Sequence, residues 1–370
     1  MKMHAALLME QPGKWEVCEV DLDRPHDREV LVRIVASGLC HSDDHVAKGD
    51  GKLRHFPYSG GHEVAGIIEE LGPGVHGLEV GDHIVTSFIP GCGRCRWCAS
   101  GAQNLCDSAA MFGGGTQLDG TYRVHLDGRP VARSSMIGGF AEFSVMPQSS
   151  CVKIPSHIPL RSAALIGCGV PTGWGSAVNA AEVAPGHTVI VMGAGGIGIH
   201  AVQGAAHAGA SHVIVAEPIA MKRDVAARLG ATAVVASIGE AADLARSVTN
   251  GQGADSVIVA VGVLHGDHIA EAFDAIRKAG TVVVTAVAPS ATIGIPVNLL
   301  TLAMYQKRIQ GCLYGMMSPS SDMVRLLELY EQGRLELDSL VTRTYSLDEI
   351  NQGYEDLHAG VNIRGVLEFG

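Results

Sequence analysis

Apolar positions follow two different rhythms along this chain. Up to about residue 170 they come in short runs, such as "EVLVRIVA" (29–36), "EVAGIIEEL" (63–71) and "HIVTSFI" (83–89), separated by Gly, Pro and Asp. Short alternating runs between turn residues predict strands, and so many of them predict a barrel-like or irregular β domain. Around Gly169 a regular alternation begins. "TVIVM" (188–192), "HVIVA" (212–216), "AVV" (233–235), "DSVIVAV" (255–261) and "TVVVTAV" (281–287) read as strands, with helices from about Ile197, near 220–229, near 239–248 and near 266–278. Strands that are apolar at every position are buried on both faces, which calls for a parallel sheet wrapped by helices. The expected fold is therefore α/β, a β-rich domain followed by a doubly wound parallel sheet. After about residue 313, "SDMVRLLELYEQG" (321–333) predicts a further helix and "RGVLEF" (364–369) a last strand. The pattern leaves open whether this tail caps the parallel sheet or returns to the first domain.

Composition narrows what two such domains can do. A chain of 370 residues, 47% of them hydrophobic, has enough apolar material for two cores. Its formal net charge of -11 provides no basic field for nucleic acid or an anionic membrane surface, and neither is an expected partner. The apolar run ahead of Glu10 is shorter than a secretory signal, so the expected location is cytoplasmic. From Val183 to Ala216 there is no Asp, Glu, Lys or Arg. A membrane span needs about 20 uninterrupted apolar residues. Here Pro185, four histidines and repeated glycines break the stretch into strand, turn, helix and strand, and no membrane segment is expected.

The same stretch holds the first candidate chemistry. In "VIVMGAGGIGIHAVQGA", Gly193, Gly195 and Gly198 form G-x-G-x-x-G between a buried strand and the mouth of a helix. The first glycine allows the tight turn, the second lets backbone amides approach a pyrophosphate, and the helix N-terminus favours negative charge. Gly196 and Ile197 lie inside the same turn. Glu217, at the end of the next strand, can accept hydrogen bonds from ribose hydroxyls and would repel a 2′-phosphate, which favours NAD over NADP. Lys222 and Arg223 stand nearby, and Lys222 is a further cofactor-binding candidate.

Nine cysteines in an apparently cytosolic chain argue for metal ligation rather than disulfides. Cys92, Cys95, Cys98 and Cys106 are spaced C-x2-C-x2-C-x7-C. Four thiolates in one loop can close a tetrahedron around Zn²⁺ with no position left for water, a structural site; an iron–sulfur cluster is the alternative. Three other fragments, "GLCHSDDH" (38–45), "GGHEVAG" (60–66) and "GCGVPTGWG" (167–175), offer Cys40, His62 and Cys168. A Cys2His set leaves a fourth position open, as a catalytic zinc requires, although such wide spacing is equally that of buried residues with no ligand. Cys18, Cys151 and Cys312 are expected to serve packing.

Together these segments resemble the zinc-containing alcohol dehydrogenases of the medium-chain dehydrogenase/reductase superfamily, over essentially the whole chain. "ASGLCHSDDH", "GGHEVAGIIEELGPGV", the four-cysteine loop, "GCGVPTGWGSAVN", "GAGGIG" and "NIRGVLEF" carry the likeness in order. "IPGCGRCRWCASGAQNLCD" and "LVTRTYSLDEINQGY" are similar to the bacterial nicotinoprotein enzymes, which keep NAD so tightly bound that it is recycled in place and which are assayed with N,N-dimethyl-4-nitrosoaniline. The resemblance implies a GroES-like catalytic domain (1–169), a Rossmann domain (170–313) and a C-terminal return to the catalytic part (314–370). It implies two zinc ions per chain, one held by Cys40, His62 and Cys168 and one by the four-cysteine loop. Glu63 matches an acid beside the metal, Asp43 a carboxylate that orients the zinc-bound histidine, and Ser42 and His45 a proton relay that includes a ribose hydroxyl. His41 and Arg364 match residues on the cofactor phosphates, Thr172 lies near the nicotinamide, and Phe88 lines the substrate channel. The implied partners are a small alcohol or aldehyde and further copies of the chain, as a homodimer or homotetramer. Thiol-dependent formaldehyde dehydrogenases share most of these motifs; their thiol cofactor needs cations, for which Arg123, Arg129 and Arg133 are candidates. A zinc-ribbon nucleic-acid binder is opposed by the acidic balance.

Overall fold

A computed structural model describes the backbone of residues 1–370 and the side chains of 1–109 and 114–370. Its strands form where β-branched residues recur. β1 (Lys2–Leu8) and β2 (Trp15–Leu22) pair antiparallel at the centre of a six-stranded sheet. β3 (Glu29–Gly38) is the hub of a second, seven-stranded sheet. Its end leads through Leu39 and Cys40 into α1 (His41–Lys48). β4 (Val64–Leu71) returns antiparallel to β3, and β5 (His83–Thr86) pairs with β4. Val30, Val32, Ile34, Val64, Ile68 and Ile84 point inward and form one core. These elements belong to a unit of Met1–Cys168 with Ser318–Gly370; a second unit comprises Gly169–Met317.

The second unit is a six-stranded parallel sheet. β6 (Thr188–Met192) is followed by α2 (Gly198–His207), β7 (His212–Ala216), β8 (Ala233–Val235), β9 (Ala254–Val259), β10 (Ile276–Val284) and β11 (Arg308–Gly311). Their order across the sheet is β8–β7–β6–β9–β10–β11, the doubly wound arrangement in which direction reverses beside the first strand. Every residue of β6 is buried, as an apolar run without alternation requires. β10 starts at Ile276, which pairs with Ala254, but its continuous ladder begins at Thr281, where the pattern puts the strand, because the residues between are an irregularity in which Ala279 takes φ +58°. The charge-free stretch contributes β6, the ten-residue α2 and β7; no helix among the described residues is long and apolar enough to cross a membrane.

The tail goes back to the first unit. α3 (Ile350–His358) sets Tyr354 against Trp15, ring centroids 6.4 Å apart, and Asn351 hydrogen-bonds both backbone groups of Trp15. β12 (Arg364–Glu368) then pairs antiparallel with β3, Val366 opposite Gly38. The Leu39 N–H donates to the Gly365 carbonyl at 2.9 Å, so the last strand fixes the backbone next to Cys40.

Arg123 and Arg133 lie in the interior of this unit. Arg123 grips Glu29 with two nearly parallel bonds, Nε to Oε2 at 2.7 Å and Nη2 to Oε1 at 2.9 Å, and is fully buried. Arg133 is buried too and donates to Ser144 Oγ at 3.1 Å. A buried ion pair that loses one member strands the other charge, at about 3–5 kcal/mol. Arg123→Met should therefore lower the unfolding free energy by an amount of that order, read as a lower urea midpoint at unchanged slope, and adding Glu29→Gln should recover part of it; equal midpoints for Arg123→Met and the parent would show that the pair contributes nothing.

Candidate metal-binding sites

Segments far apart in sequence meet around Cys40. This residue is the N-cap of α1, and its Sγ accepts the Ser42 N–H at 3.5 Å. His62 stands just ahead of β4, and Cys168 ends the short 3-10 turn Ala164–Gly167. One ligand atom from each of Cys40, His62, Glu63 and Cys168 lies within 4.8 Å of every other, and all four residues are buried. Two thiols and an imidazole are the three protein ligands that an open zinc site uses, and here Glu63 is a fourth donor within reach.

The surroundings favour a cation. Asp43 Oδ2 lies 2.9 Å from His62 Nδ1, and its Oδ1 accepts the Gly61 N–H at 2.9 Å. A ring whose Nδ1 faces a carboxylate presents Nε2 as the ligand atom. Burial opposes a charge on His62, but the Asp43 carboxylate and Cys40 thiolate outweigh it and hold the ring pKa well above its ordinary value. The Cys168 thiol, hydrogen-bonded to Cys40, holds Cys40 well below the usual thiol range despite burial, and His62 and Arg364 add to the effect. The same bond, with burial, pushes Cys168 up. Burial also pushes Glu63 up to about 7, against the pull of its ion-pair partner Arg364. Glu63 Oε1 is buried and has no hydrogen-bond partner among the described residues. The protons held on this cluster are the ones a divalent ion would displace on binding.

The other residues expected near this centre are distributed as follows. Ser42 Oγ is 3.5 Å from Cys40 Sγ. Phe88 packs edge-on against the His62 ring, centroids 5.5 Å apart. His41 is the first residue of α1 and half-buried. Arg364 is buried and engaged with Glu63. Thr172 belongs to the second unit, in the helix Gly169–Gly175, where its carbonyl accepts the Ser176 hydroxyl at 2.7 Å. Two contacts went unforeseen. Asp50 lies 2.6 Å from His45 Nδ1, and Tyr354 reaches the Cys40 carbonyl at 3.5 Å. The acid in "KGDG", just past the glycine that ends α1, was the available signal for the first; nothing in the local sequence marks the second.

The four-cysteine loop is a separate cluster. Sγ of Cys92 and Cys98 are 3.9 Å apart, and all four sulfurs lie within 4.8 Å of one another. Disulfide sulfurs sit at about 2.05 Å, whereas ligands at 2.3 Å from a tetrahedral zinc are about 3.8 Å apart. Backbone N–H groups point at the sulfurs, Cys92 to Cys106, Cys95 to Cys92 and Cys98 to Cys95, each at 3.4 Å. Burial would raise Cys92, yet the Arg94 and Cys95 amides bring it down to about 6, while burial pushes Cys98 up to about 12.

In the second unit the glycine turn has the form that a phosphate needs. Gly193 is left-handed, φ +92°, and a side chain there would meet the Ala260 carbonyl. A Cβ on Gly198 would collide with the Gly193 carbonyl oxygen, and one on Gly195 would meet nothing, so the space at Gly195 is open. Gly196 and Ile197 lead into α2, with Ile197 at its N-cap. Glu217 is buried and turned toward this loop: Oε2 accepts the Ala194 N–H at 2.8 Å and Oε1 the Ile219 N–H at 3.0 Å. Lys222 lies in the first turn of the helix Ala220–Arg228.

Residues 26–156 match the alcohol dehydrogenase GroES-like domain family, and residues 196–332 match the zinc-binding dehydrogenase family. An NDMA-dependent alcohol dehydrogenase from Amycolatopsis methanolica is 47% identical over 367 residues, 99% of either chain. Two solved structures share the fold closely. An alcohol dehydrogenase zinc-binding domain protein from Burkholderia ambifaria gives a TM-score of 0.93 at 30% identity, covering 100% of this chain and 99% of that one. Benzyl alcohol dehydrogenase from Acinetobacter calcoaceticus gives 0.92 at 28% identity over 100% of both.

Cys98→Ser should lose one metal equivalent per chain by elemental analysis and lower the Tm by ~10 °C, since a structural ion contributes directly to folding. Visible absorption accompanied by iron would instead assign the loop to an iron–sulfur cluster.

Proposed function

This chain belongs to the zinc-binding alcohol dehydrogenases, and from that premise we propose that it transfers hydride between a primary alcohol or aldehyde and NAD(H), with one catalytic and one structural zinc per chain. The observation that carries the reading is the buried meeting of Cys40, His62 and Cys168 from three distant segments, beside a loop whose own four thiols suit a closed site. In this reading the catalytic part is 1–169 with 314–370, and 170–313 binds the cofactor. A zinc held by Cys40, His62 and Cys168 would supply acidity to the alcohol hydroxyl, and a nicotinamide would supply a hydride acceptor. The chain's own residues do the rest. Asp43 fixes the His62 ring, Arg364 balances Glu63, Ser42 hands on the hydroxyl proton, and His45 passes it outward. Glu217, a carboxylate held at the glycine turn, would repel a 2′-phosphate and so favours NAD. The similarity to an NDMA-dependent enzyme supports a cofactor that stays bound and is recycled in place.

The thiol-dependent formaldehyde reading is less well supported. Of the three arginines that could hold a thiol cofactor's carboxylates, Arg123 and Arg133 are in the interior and only Arg129 is exposed. A second copy of the chain is a proposed partner. The helix Leu299–Met304 buries none of its residues, Leu299, Leu300 and Met304 are about seven-tenths exposed, and the neighbouring β11 is an edge strand, with one side unpaired among the described residues.

Denaturing the purified protein without added cofactor should release NAD(H) together with two zinc per chain, and simple primary alcohols should be oxidised with no added thiol. Turnover of formaldehyde only in the presence of a low-molecular-weight thiol would favour the other reading. Ser42→Ala should slow the chemical step ~100-fold while both zinc ions stay; unchanged turnover would remove Ser42 from the proton path.

A further inference from the structure

His45 has a partner that the metal site does not require. It lies in the last turn of α1 and is buried. Beyond it the chain doubles back: Gly49, with φ +87°, ends the helix, and the Asp50 N–H donates to the His45 carbonyl at 2.9 Å. This brings Asp50 Oδ2 to 2.6 Å from His45 Nδ1. The turn is braced from outside, because Gln11 Nε2 donates to both the Val46 and Gly51 carbonyls while Gln11 Oε1 accepts the Leu53 N–H at 3.0 Å. A carboxylate offers lone pairs and no donor, so the hydrogen of the imidazole–carboxylate bond belongs to Nδ1 and the ring's lone pair to Nε2.

We propose that Asp50 is the positioning residue of the proton path: through this bond it holds His45 as the Nδ1–H tautomer and aims Nε2 as the atom that takes the proton passed on from Ser42. The inference rests on the reading of His45 as a relay group. The step balances without a further reactant. The proton that Ser42 passes on is replaced by one from the alcohol, the Nε2 lone pair takes up the relayed proton as a new N–H bond, and the imidazolium, facing the Asp50 carboxylate, releases a proton to water. Asp50 touches neither substrate nor cofactor and acts through the ring alone.

Asp50 could instead serve only to close the turn after α1, and a double-mutant cycle separates the two roles. Asp50→Ala should lower kcat for a primary alcohol ~10-fold with KM within about twofold, the usual scale for a residue that orients a functional imidazole. Asp50→Glu should restore most of the rate. Asp50→Asn, which keeps the size of the turn residue and a weaker acceptor, should fall between. His45→Gln should also be slow, and Asp50→Ala added to it should slow it no further. NMR of ¹⁵N-histidine protein, with the His45 signal assigned by its loss in His45→Gln, should show Nδ1–H in the parent and a shift toward Nε2–H in Asp50→Ala. An equal Asp50→Ala effect with and without His45, or an Nε2–H ring in the parent, overturns the inference. If His45→Gln turns over at the parent rate, the relay reading itself fails and takes this inference with it. If His45→Gln is slow and Asp50→Ala is not, the inference alone fails.

Discussion

Burying ionisable groups is expensive, and the first unit gathers six in one buried cluster. Cys40, Asp43, His62, Glu63, Cys168 and Arg364 have almost no contact with solvent. Such a cluster persists only if each charge has a partner. The protein supplies some of the pairing itself: Asp43 faces His62, and Arg364 faces Glu63. The two thiols share a hydrogen bond, which drives their pKa values apart. A divalent ion would complete the balance, because two thiolates neutralise it and the proton on Cys168 is no longer needed. The same charges that make the site costly without metal are the ones that would bind it.

Helix α1 concentrates the consequences. Within eight residues it presents Ser42, Asp43, Asp44 and His45, while its N-cap is Cys40 itself. Helical spacing separates their tasks: Asp43 turns toward His62, and Asp44 turns the other way to meet Lys48 and His358 of α3. The helix is held at both ends. Tyr354 reaches the Cys40 carbonyl, and the turn at Gly49 and Asp50 closes on His45. The Cys40 thiol at the tip of this short helix is therefore held in place by the C-terminal segment that packs against it.

The second unit solves a different problem with backbone rather than side chains. Gly193 adopts a conformation that other residues resist, and Gly198 leaves no room for a Cβ, so the tight turn from β6 into α2 accepts only glycine at these two positions. Glu217 braces that turn through the Ala194 N–H, which makes the proposed ribose acid part of the loop's architecture as well. Its carboxylate is thus set before any nucleotide arrives.

Local physics made much of this legible in the sequence. The parallel sheet was readable because all-apolar runs such as "TVIVM" admit burial on both faces and little else, and the four thiols of the loop declared themselves by spacing short enough for one turn-rich segment to bring them together. Cys40, His62 and Cys168 were different. Over a hundred residues separate the first from the last, and no periodicity tells a ligand from a packed thiol; resemblance pointed to them, and only strand pairing around β3 and β4 put them side by side. The partners of charged groups were the least visible, since Arg364 with Glu63, Arg123 with Glu29 and His45 with Asp50 depend on where side chains end up once the core has closed. Sequence by itself thus determined the elements and the chemistry on offer, because hydrophobic period and backbone freedom act over a few residues. The tertiary structure alone decided which charges face each other, because electrostatic pairing is a property of distance in space and not of distance along the chain.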